Sequence, residues 1–244
     1  MKNNKSIIHQ NIENLTTLWK TVGHEFDGVK SYSSYEKSII SNSQWPNRVW
    51  LSKQVEQLDI TELSTNIKAI NSKVTIPIWD QNLFSLFKSE KFEFKFQQIG
   101  MSLNLNNQIP FDTKLQLEKV KSHDDARIWS TIFKESFGYI IHSDSIFKSI
   151  NKVDYYIAMD NKSPIGTAMT YKTDNNLGVH AVGIPPLNRR KGYAKQIMYS
   201  LINKAIKEEI SYLVLQASEM GKGLYKSLGF KEDFLIRNYQ LNLD

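Results

Sequence analysis

The segment Gly183-Ile184-Pro185-Pro186-Leu187-Asn188-Arg189-Arg190-Lys191-Gly192-Tyr193-Ala194 constrains this chain most, because it ends a stretch of strand character and runs straight into a long amphipathic pattern. After it, Ala194, Ile197, Met198, Leu201, Ile202, Ala205 and Ile206 recur at helical spacing, so one face of a helix is buried and its N-terminus is fixed at the segment. Gly192 and Ala194 are small and let the backbone approach a ligand closely. The opening turn of the helix, expected from about Arg190, has N–H groups without intrahelical acceptors and the positive end of the helix dipole. With Arg189, Arg190 and Lys191 beside it, this is the layout of a loop that holds phosphates. An ordinary strand-to-helix connection with a solvated basic cluster is the other reading open at this point.

Composition narrows the function classes. A chain of 244 residues, 41% hydrophobic, is one large or two small globular domains. The net charge of +6 is spread along the chain, which suits an anionic ligand better than a nucleic acid, for which a dense basic stripe is expected. The absence of cysteine excludes disulfides, thiolate metal sites and a cysteine nucleophile. His9, His24, His123 and His142 show no metal-ligand spacing with acidic partners, so no metal is expected. The start lacks an apolar signal region and no apolar run is long enough for a membrane span, so the expected location is the cytoplasm.

The chain also contains an internal repeat. Leu86-Phe87-Lys88-Ser89 through Leu105 aligns without gaps on Leu224-Tyr225-Lys226-Ser227 through Leu243, with eight of twenty positions identical. A fainter echo relates Leu18-Trp19-Lys20-Thr21 through Gly28 to Ile128-Trp129-Ser130-Thr131 through Gly138. The collinear order favours two related halves, residues 1–110 and 111–244, divided in the polar segment from Asn106 to Thr113 that contains Pro110. The first half lacks a good counterpart of the basic loop, and Phe87 stands where the second half has Tyr225. Chemistry is therefore expected in the second half.

Periodicity and breakers give that half the order β-α-α-β-β-β-α-β-α-β. A strand from Leu115 to Lys121 precedes a helix from Asp124 to Phe137, capped by Ser122 or Asp124, and a short helix follows from Ser143 to Ile150. Strands at 153–159, 164–172 and 177–184, separated by turns at Asp160-Asn161-Lys162 and Asp174-Asn175-Asn176, read as a meander. After the loop and its helix come a strand at 212–217, a helix from about Met220 to Leu228 ended by Gly229, and a last strand from Phe234 to Leu243. The set Phe84, Phe87, Phe92, Phe94 and Phe96 reads as core, and Trp45 and Trp50 are open to two roles, buried packing at the interface of the halves, which is the commoner case, or the lining of an acceptor cavity between them.

Two elements of this half resemble the GNAT superfamily of acyl-CoA-dependent N-acyltransferases. The family's pyrophosphate loop, Gln/Arg-x-x-Gly-x-Gly/Ala, is matched by Arg189-Arg190-Lys191-Gly192-Tyr193-Ala194. A strand ending in Ala-Ser and a helix with Leu-Tyr before Leu-Gly-Phe are matched by Gln216-Ala217-Ser218 and by Leu224-Tyr225-Lys226-Ser227-Leu228-Gly229-Phe230. The resemblance covers about residues 115–243, and the first half resembles a degenerate copy. It implies an α/β fold, here in tandem: a mixed, mostly antiparallel sheet flanked by helices.

The resemblance also implies acetyl-CoA as cosubstrate and direct transfer to an amine. The amides of Arg190 to Ala194 then meet the pyrophosphate with Arg189, Arg190 and Lys191 as screening charges, and the backbone at Val182, Gly183 and Ile184 lies beside the pantetheine arm where two parallel strands splay. Tyr225 matches the tyrosine that protonates the departing thiolate. For the base, related enzymes use a carboxylate on this strand or ordered water; this strand has neither Asp nor Glu. His180 is the candidate, with an ordinary pKa of about 6.5 and a side-chain face expected to be shared with Val182 and Ile184; Glu135 and Glu219 are fallbacks. Ser218 is open to two roles, a contact to the cofactor or a helix N-cap. The acceptor, a small-molecule or peptide amine, is not specified; a monomer and a homodimer both fit. A CoA-binding sensor without turnover is the alternative function.

Overall fold

The computed structural model describes residues 6–52, 60–70, 73–88, 92–106 and 108–242. Ser89 and Leu243 of the repeat and Asn107 of the expected divide lie outside them. The chain opens with helix α1 (Ile7–His24), capped by Ser6, whose Oγ accepts the His9 N–H. Strands β1 (Val29–Ser31), β2 (Tyr35–Ser38) and β3 (Arg48–Leu51) form a small antiparallel sheet, followed by α2 (Ile60–Lys68) and β4 (Ile76–Ile78). Two 3₁₀ turns, Gln81–Leu83 and Leu86–Lys88, lead into the long β5 (Phe92–Asn104).

The second half follows the order read from periodicity. Strand β6 (Gln116–Lys119), α3 (His123–Phe137) and α4 (Ser143–Ser149) precede the meander β7 (Asp154–Asp160), β8 (Ser163–Thr173) and β9 (Asn176–Gly183). Then come α5 (Tyr193–Lys207), β10 (Tyr212–Ser218), a short α6 (Lys222–Ser227) and β11 (Lys231–Leu241). Local chemistry explains the agreement. Ser122 and Asp125 form a reciprocal capping box at the start of α3, and Gly138 ends it in the left-handed conformation at φ 78. Asn161 and Lys162 both take positive φ, the backbone that joins adjacent antiparallel strands by a two-residue turn.

The large sheet has eight strands in the order β4-β11-β5-β10-β9-β8-β7-β6, and β9 with β10 is its parallel pair. It is mixed, mostly antiparallel and flanked by helices. Residues β7 sends to opposite faces identify the layers: Tyr156 and Ala158 join the core under α5, whereas Tyr155 and Ile157 join the core under α1, α3 and α4. On α5, Ile197, Met198, Leu201 and Ile202 are fully buried, and truncating one such side chain to alanine typically costs about 2–5 kcal/mol. A third core, with Val49, Leu63, Ile76, Phe87 and Tyr239, fills the space beneath the small sheet and α2.

The division near residue 110 separates the chain but not the sheet. Strand β5, from before the division, lies between β10 and β11, both from after it. The repeat supplies β5 and β11 themselves. They pair antiparallel, with Gln98 opposite Ile236, which are each other's counterparts in the alignment. The two copies therefore cross each other about a local two-fold instead of sitting in separate sheets. The fainter echo falls on α1 and α3, whose Trp19 and Trp129 share one core. Phe84, Phe87 and Phe92 are core as expected, but Phe94 and Phe96 are half exposed at 50% and 41%. Phe96 faces the cavity described next, and Phe94 meets Tyr239 edge-on at 5.9 Å.

Candidate active site

The parallel pairing of β9 with β10 runs from Asn176 opposite Tyr212 to Gly178 opposite Val214 and then stops. Beyond it Val179 to Gly183 are held by β8, while Leu215 to Ser218 are held by β5. The facing backbone edges no longer pair, and a cavity of about 1290 Å³ opens between and beyond them. Tyr225, His180, Ser218 and the marked residues of the strand end and loop line this cavity, except Lys191, which is exposed outside it. Glu135 and Glu219 also lie outside the lining and are exposed.

The bend in β9 has a local cause. Ala181 adopts φ 52, and the register with β8 shifts between Thr167 opposite Gly183 and Met169 opposite His180. This bulge inserts a residue and reverses the side-chain parity. Val182 and Ile184 pack on the α5 side, whereas a Cβ on Gly183 would meet Phe137 and Ser136 of α3. A Cβ on Gly178 would meet Asn14 of α1 and His180, so His180 belongs to the opposite face from Val182 and Ile184. The shared face expected from simple alternation is thus corrected by the bulge.

The loop also differs from the expected early helix start. Pro186–Asn188 forms a 3₁₀ turn, Arg190 takes φ 63, Gly192 takes φ 81, and α5 begins only at Tyr193. Two left-handed residues in the span turn the chain before the helix can begin. Gly192 caps α5 without a side-chain acceptor, and open space surrounds the position its Cβ would occupy. The N–H groups of Tyr193 and Ala194 stand in the first turn, beyond intrahelical reach, at the positive end of the dipole. Arg189 is tied down: its Nε donates to Ile184 O at 3.0 Å and its Nη2 to Ser136 O at 2.9 Å. The Tyr193 hydroxyl donates to Asp160, which raises the phenol pKa and directs the side chain toward β7. Arg190 lines the cavity with no ion pair among the described residues.

Tyr225 faces the same cavity from α6. Its ring meets Phe230 edge-on at 5.7 Å, its hydroxyl has no hydrogen-bond partner among the described residues, and burial pushes its pKa up to about 12. Ser218 Oγ accepts the Gly221 N–H at 3.2 Å, so its side chain closes the turn entering α6 as well as lining the cavity. His180 Nε2 stands 3.2 Å from Asn14 Oδ1. Asn14 Nδ2 donates to Tyr171 O and Thr173 Oγ1, which fixes the amide orientation and makes Nε2 of His180 the donor. Burial drives the His180 pKa down to about 4, opposed by a hydrogen bond with Gln216. The value of about 6.5 expected on the sequence does not apply, and the ring is neutral at pH 7.

Sequence reasoning did not mark the contribution of α1. Asn11 is fully buried at the seam, where its Nδ2 donates to Met101 O and Leu215 O and its Oδ1 accepts from Gln216 Nε2. Two buried asparagines on an otherwise amphipathic helix were the available signal, since buried amides need specific partners. Trp45 lines the cavity as expected; Trp50 does not, and instead packs on Trp19 and donates to Glu36. Arg48, Tyr139 and Phe133 also line it. Among the described residues no group of three or more His, Asp or Glu is placed to hold a metal ion, and no helix is long and apolar enough to cross a membrane.

A parallel pair splayed before a glycine loop and helix defines an acyltransferase of the GNAT type, and comparison with known proteins agrees. The family model described as acetyltransferase (GNAT) domain matches residues 116–237. The chain belongs to the GNAT acetyltransferase family. Among solved structures it is similar to a GCN5-related N-acetyltransferase from Kribbella flavida, at 11% identity and a TM-score of 0.70, covering 96% of this chain and 97% of that one. A putative GNAT-family acetyltransferase from Novosphingobium aromaticivorans gives 11% identity and a TM-score of 0.63, covering 92% and 95%. A GCN5-related N-acetyltransferase from Sphaerobacter thermophilus gives 11% identity and 0.62, covering 96% and 90%. At these identities the likeness is one of fold, and it extends over both halves. No curated protein matches the sequence.

Proposed function

We propose that the protein transfers an acetyl group from acetyl-CoA to an amine by direct attack, with the chemistry carried by residues 111–244 and one wall of the acceptor space built by residues 1–110. The observation that carries this reading is the continuity of one cavity from the first turn of α5, past the unpaired edges of β9 and β10, to the Tyr225 phenol.

The amides of Arg190 to Ala194 are placed to receive the pyrophosphate, with Arg190 and the remaining donors of Arg189 as countercharge. The pantetheine amides are assigned to the free backbone edge at Val182 to Ile184, which delivers the thioester toward the carboxyl end of β10. There the amine nitrogen forms its bond to the acyl carbon and the carbon–sulfur bond breaks. The sulfur receives a proton from Tyr225, which the raised pKa keeps protonated, and the proton lost by the amine restores the phenol. Ser218 supports the turn that positions α6. His180, neutral and held by its Nε2–H on Asn14, is assigned to the wall of the acceptor space; with a pKa of about 4 it is a weak base. The absence of cysteine and, among the described residues, of a serine or threonine beside a base in this cavity favours transfer without an acyl-enzyme.

Thiol release from acetyl-CoA across an amine panel tests the proposal. Amine-dependent turnover, lost in Tyr225→Phe with acetyl-CoA affinity retained, is the expected result. Tight CoA binding with no turnover for any amine identifies a sensor instead, and an acyl-enzyme trapped by rapid quench removes the direct route.

A further inference from the structure

Where the N-terminal half lines the cavity, it places a cation that the acetyl-CoA assignment does not use. Arg48, the first residue of β3, lies over the Trp19 ring with its Cζ 5.8 Å from the centroid. Its Nη1 donates to Pro46 O at 2.6 Å and to Asn47 O at 3.2 Å. Its Nε and Nη2 have no hydrogen-bond partner, and no carboxylate pairs with it, among the described residues. Burial draws the guanidinium below its ordinary pKa, with the Tyr139 phenol opposing. A half-buried cation that presents a free fork of donors to a cavity is suited to an oxyanion.

The rest of the wall points the same way. Arg48, Lys73, Arg189, Arg190 and Lys195 line the cavity, and among the described residues no Asp or Glu does. The last three stand on the loop and α5, where the phosphates of the cofactor are assigned, so Arg48 on β3 is left for another ligand. Its neighbours Trp19, Trp45, Phe133 and Tyr139 make the surrounding wall aromatic. A polycationic amine finds no carboxylate here to hold it.

Resting on the acyl-transfer reading above, we propose that the acceptor is a small amine carrying a carboxylate and an apolar side chain, as in an aromatic α-amino acid, and that Arg48 binds the carboxylate. Only the amine nitrogen reacts; the carboxylate is unchanged between acceptor and product.

The test compares phenylalanine with phenethylamine and tryptophan with tryptamine, at matched free-amine concentration, with spermidine as the polycation arm and acetyl-CoA as donor. The expected result is a kcat/KM roughly ten-fold or more higher for the carboxylate member of each pair. Arg48→Met is expected to raise KM for that member by about ten-fold, to leave the decarboxylated member and CoA affinity within about two-fold, and to be partly rescued by Arg48→Lys. Calorimetric binding of N-acetylphenylalanine against N-acetylphenethylamine reads the same preference without turnover. A carboxylate preference in binding that Arg48→Met abolishes, with no amine turned over, supports the carboxylate site at Arg48 and overturns both its role in acceptor choice and the transferase reading. If Arg48→Met loses CoA affinity through misfolding, the paired comparison in the unaltered protein decides. Equal rates and affinities within each pair, spermidine as the best acceptor, or an unchanged preference in Arg48→Met overturns it.

Discussion

The two copies of the repeat begin with nearly the same residues and reach opposite environments. Leu224-Tyr225-Lys226 lies in α6 at the cavity, which the Tyr225 phenol faces without a hydrogen-bond partner among the described residues. Leu86-Phe87-Lys88 forms a 3₁₀ turn in which Phe87 is fully buried against Phe92 and Tyr239. The local two-fold relating β5 to β11 sends the two turns to opposite ends of the strand pair, one before Phe92 opposite Leu241 and the other before Lys231 opposite Ser102. Phe87 packs into the core beneath β4 and α2, whereas α6 lies beside β10 and presents Tyr225 to the cavity. The two positions differ by a single hydroxyl, and chemistry is proposed only for the one at the cavity.

The largest effect expected from testing this contrast is on turnover. Tyr225→Phe makes the second copy resemble the first and should lower kcat by about a hundred-fold while acetyl-CoA affinity stays within about two-fold. The reciprocal change, Phe87→Tyr, should leave turnover of the folded enzyme unaltered. It buries a hydroxyl among rings, so denaturant unfolding should show a loss of about 1–3 kcal/mol. Comparable loss of activity in both variants would break the contrast.

Next in size is the loop that only the second copy has beside it. Gly192→Ala forces a β-carbon into a φ of 81, a cost of about 1–2 kcal/mol, and should weaken acetyl-CoA binding in a titration by roughly ten-fold. A smaller change is expected at His180. In the window between pH 6.5 and about 4 the unfolded chain binds this proton and the folded chain does not, so folding stability falls as pH drops. Wild type should therefore lose stability relative to His180→Gln across that window, by at most about 1.4 kcal/mol per pH unit. The sign reverses if the ring is charged in the fold. Lys191→Ala, outside the cavity, should change acetyl-CoA affinity by no more than about two-fold at moderate salt.

Much of the second half was legible because its signals are local. The capping box at Ser122 and Asp125, the turn residues Asp160-Asn161-Lys162, and the buried stripe of α5 each lie within a few residues of the structure they specify. The loop and Tyr225 were legible through their spacing and the resemblance it carries. Long-range pairing was not: nothing in residues 92–104 announces that they sit between strands at 212–218 and 231–241. The repeat was visible as sequence, but its copies pair with each other rather than building separate sheets. The face of His180 was hidden by the bulge at Ala181, a residue whose type does not signal positive φ. Arg48 and Asn14 meet the cavity and His180 only when the first half is laid across the second.

The most direct test of the account is a crystal structure of the protein with CoA. It should place the pyrophosphate on the amides of Arg190 to Ala194, the pantetheine arm between β9 and β10, and the sulfur within about 3.5 Å of Tyr225 Oη. A sulfur remote from Tyr225, or a cofactor bound away from the splay, would contradict it.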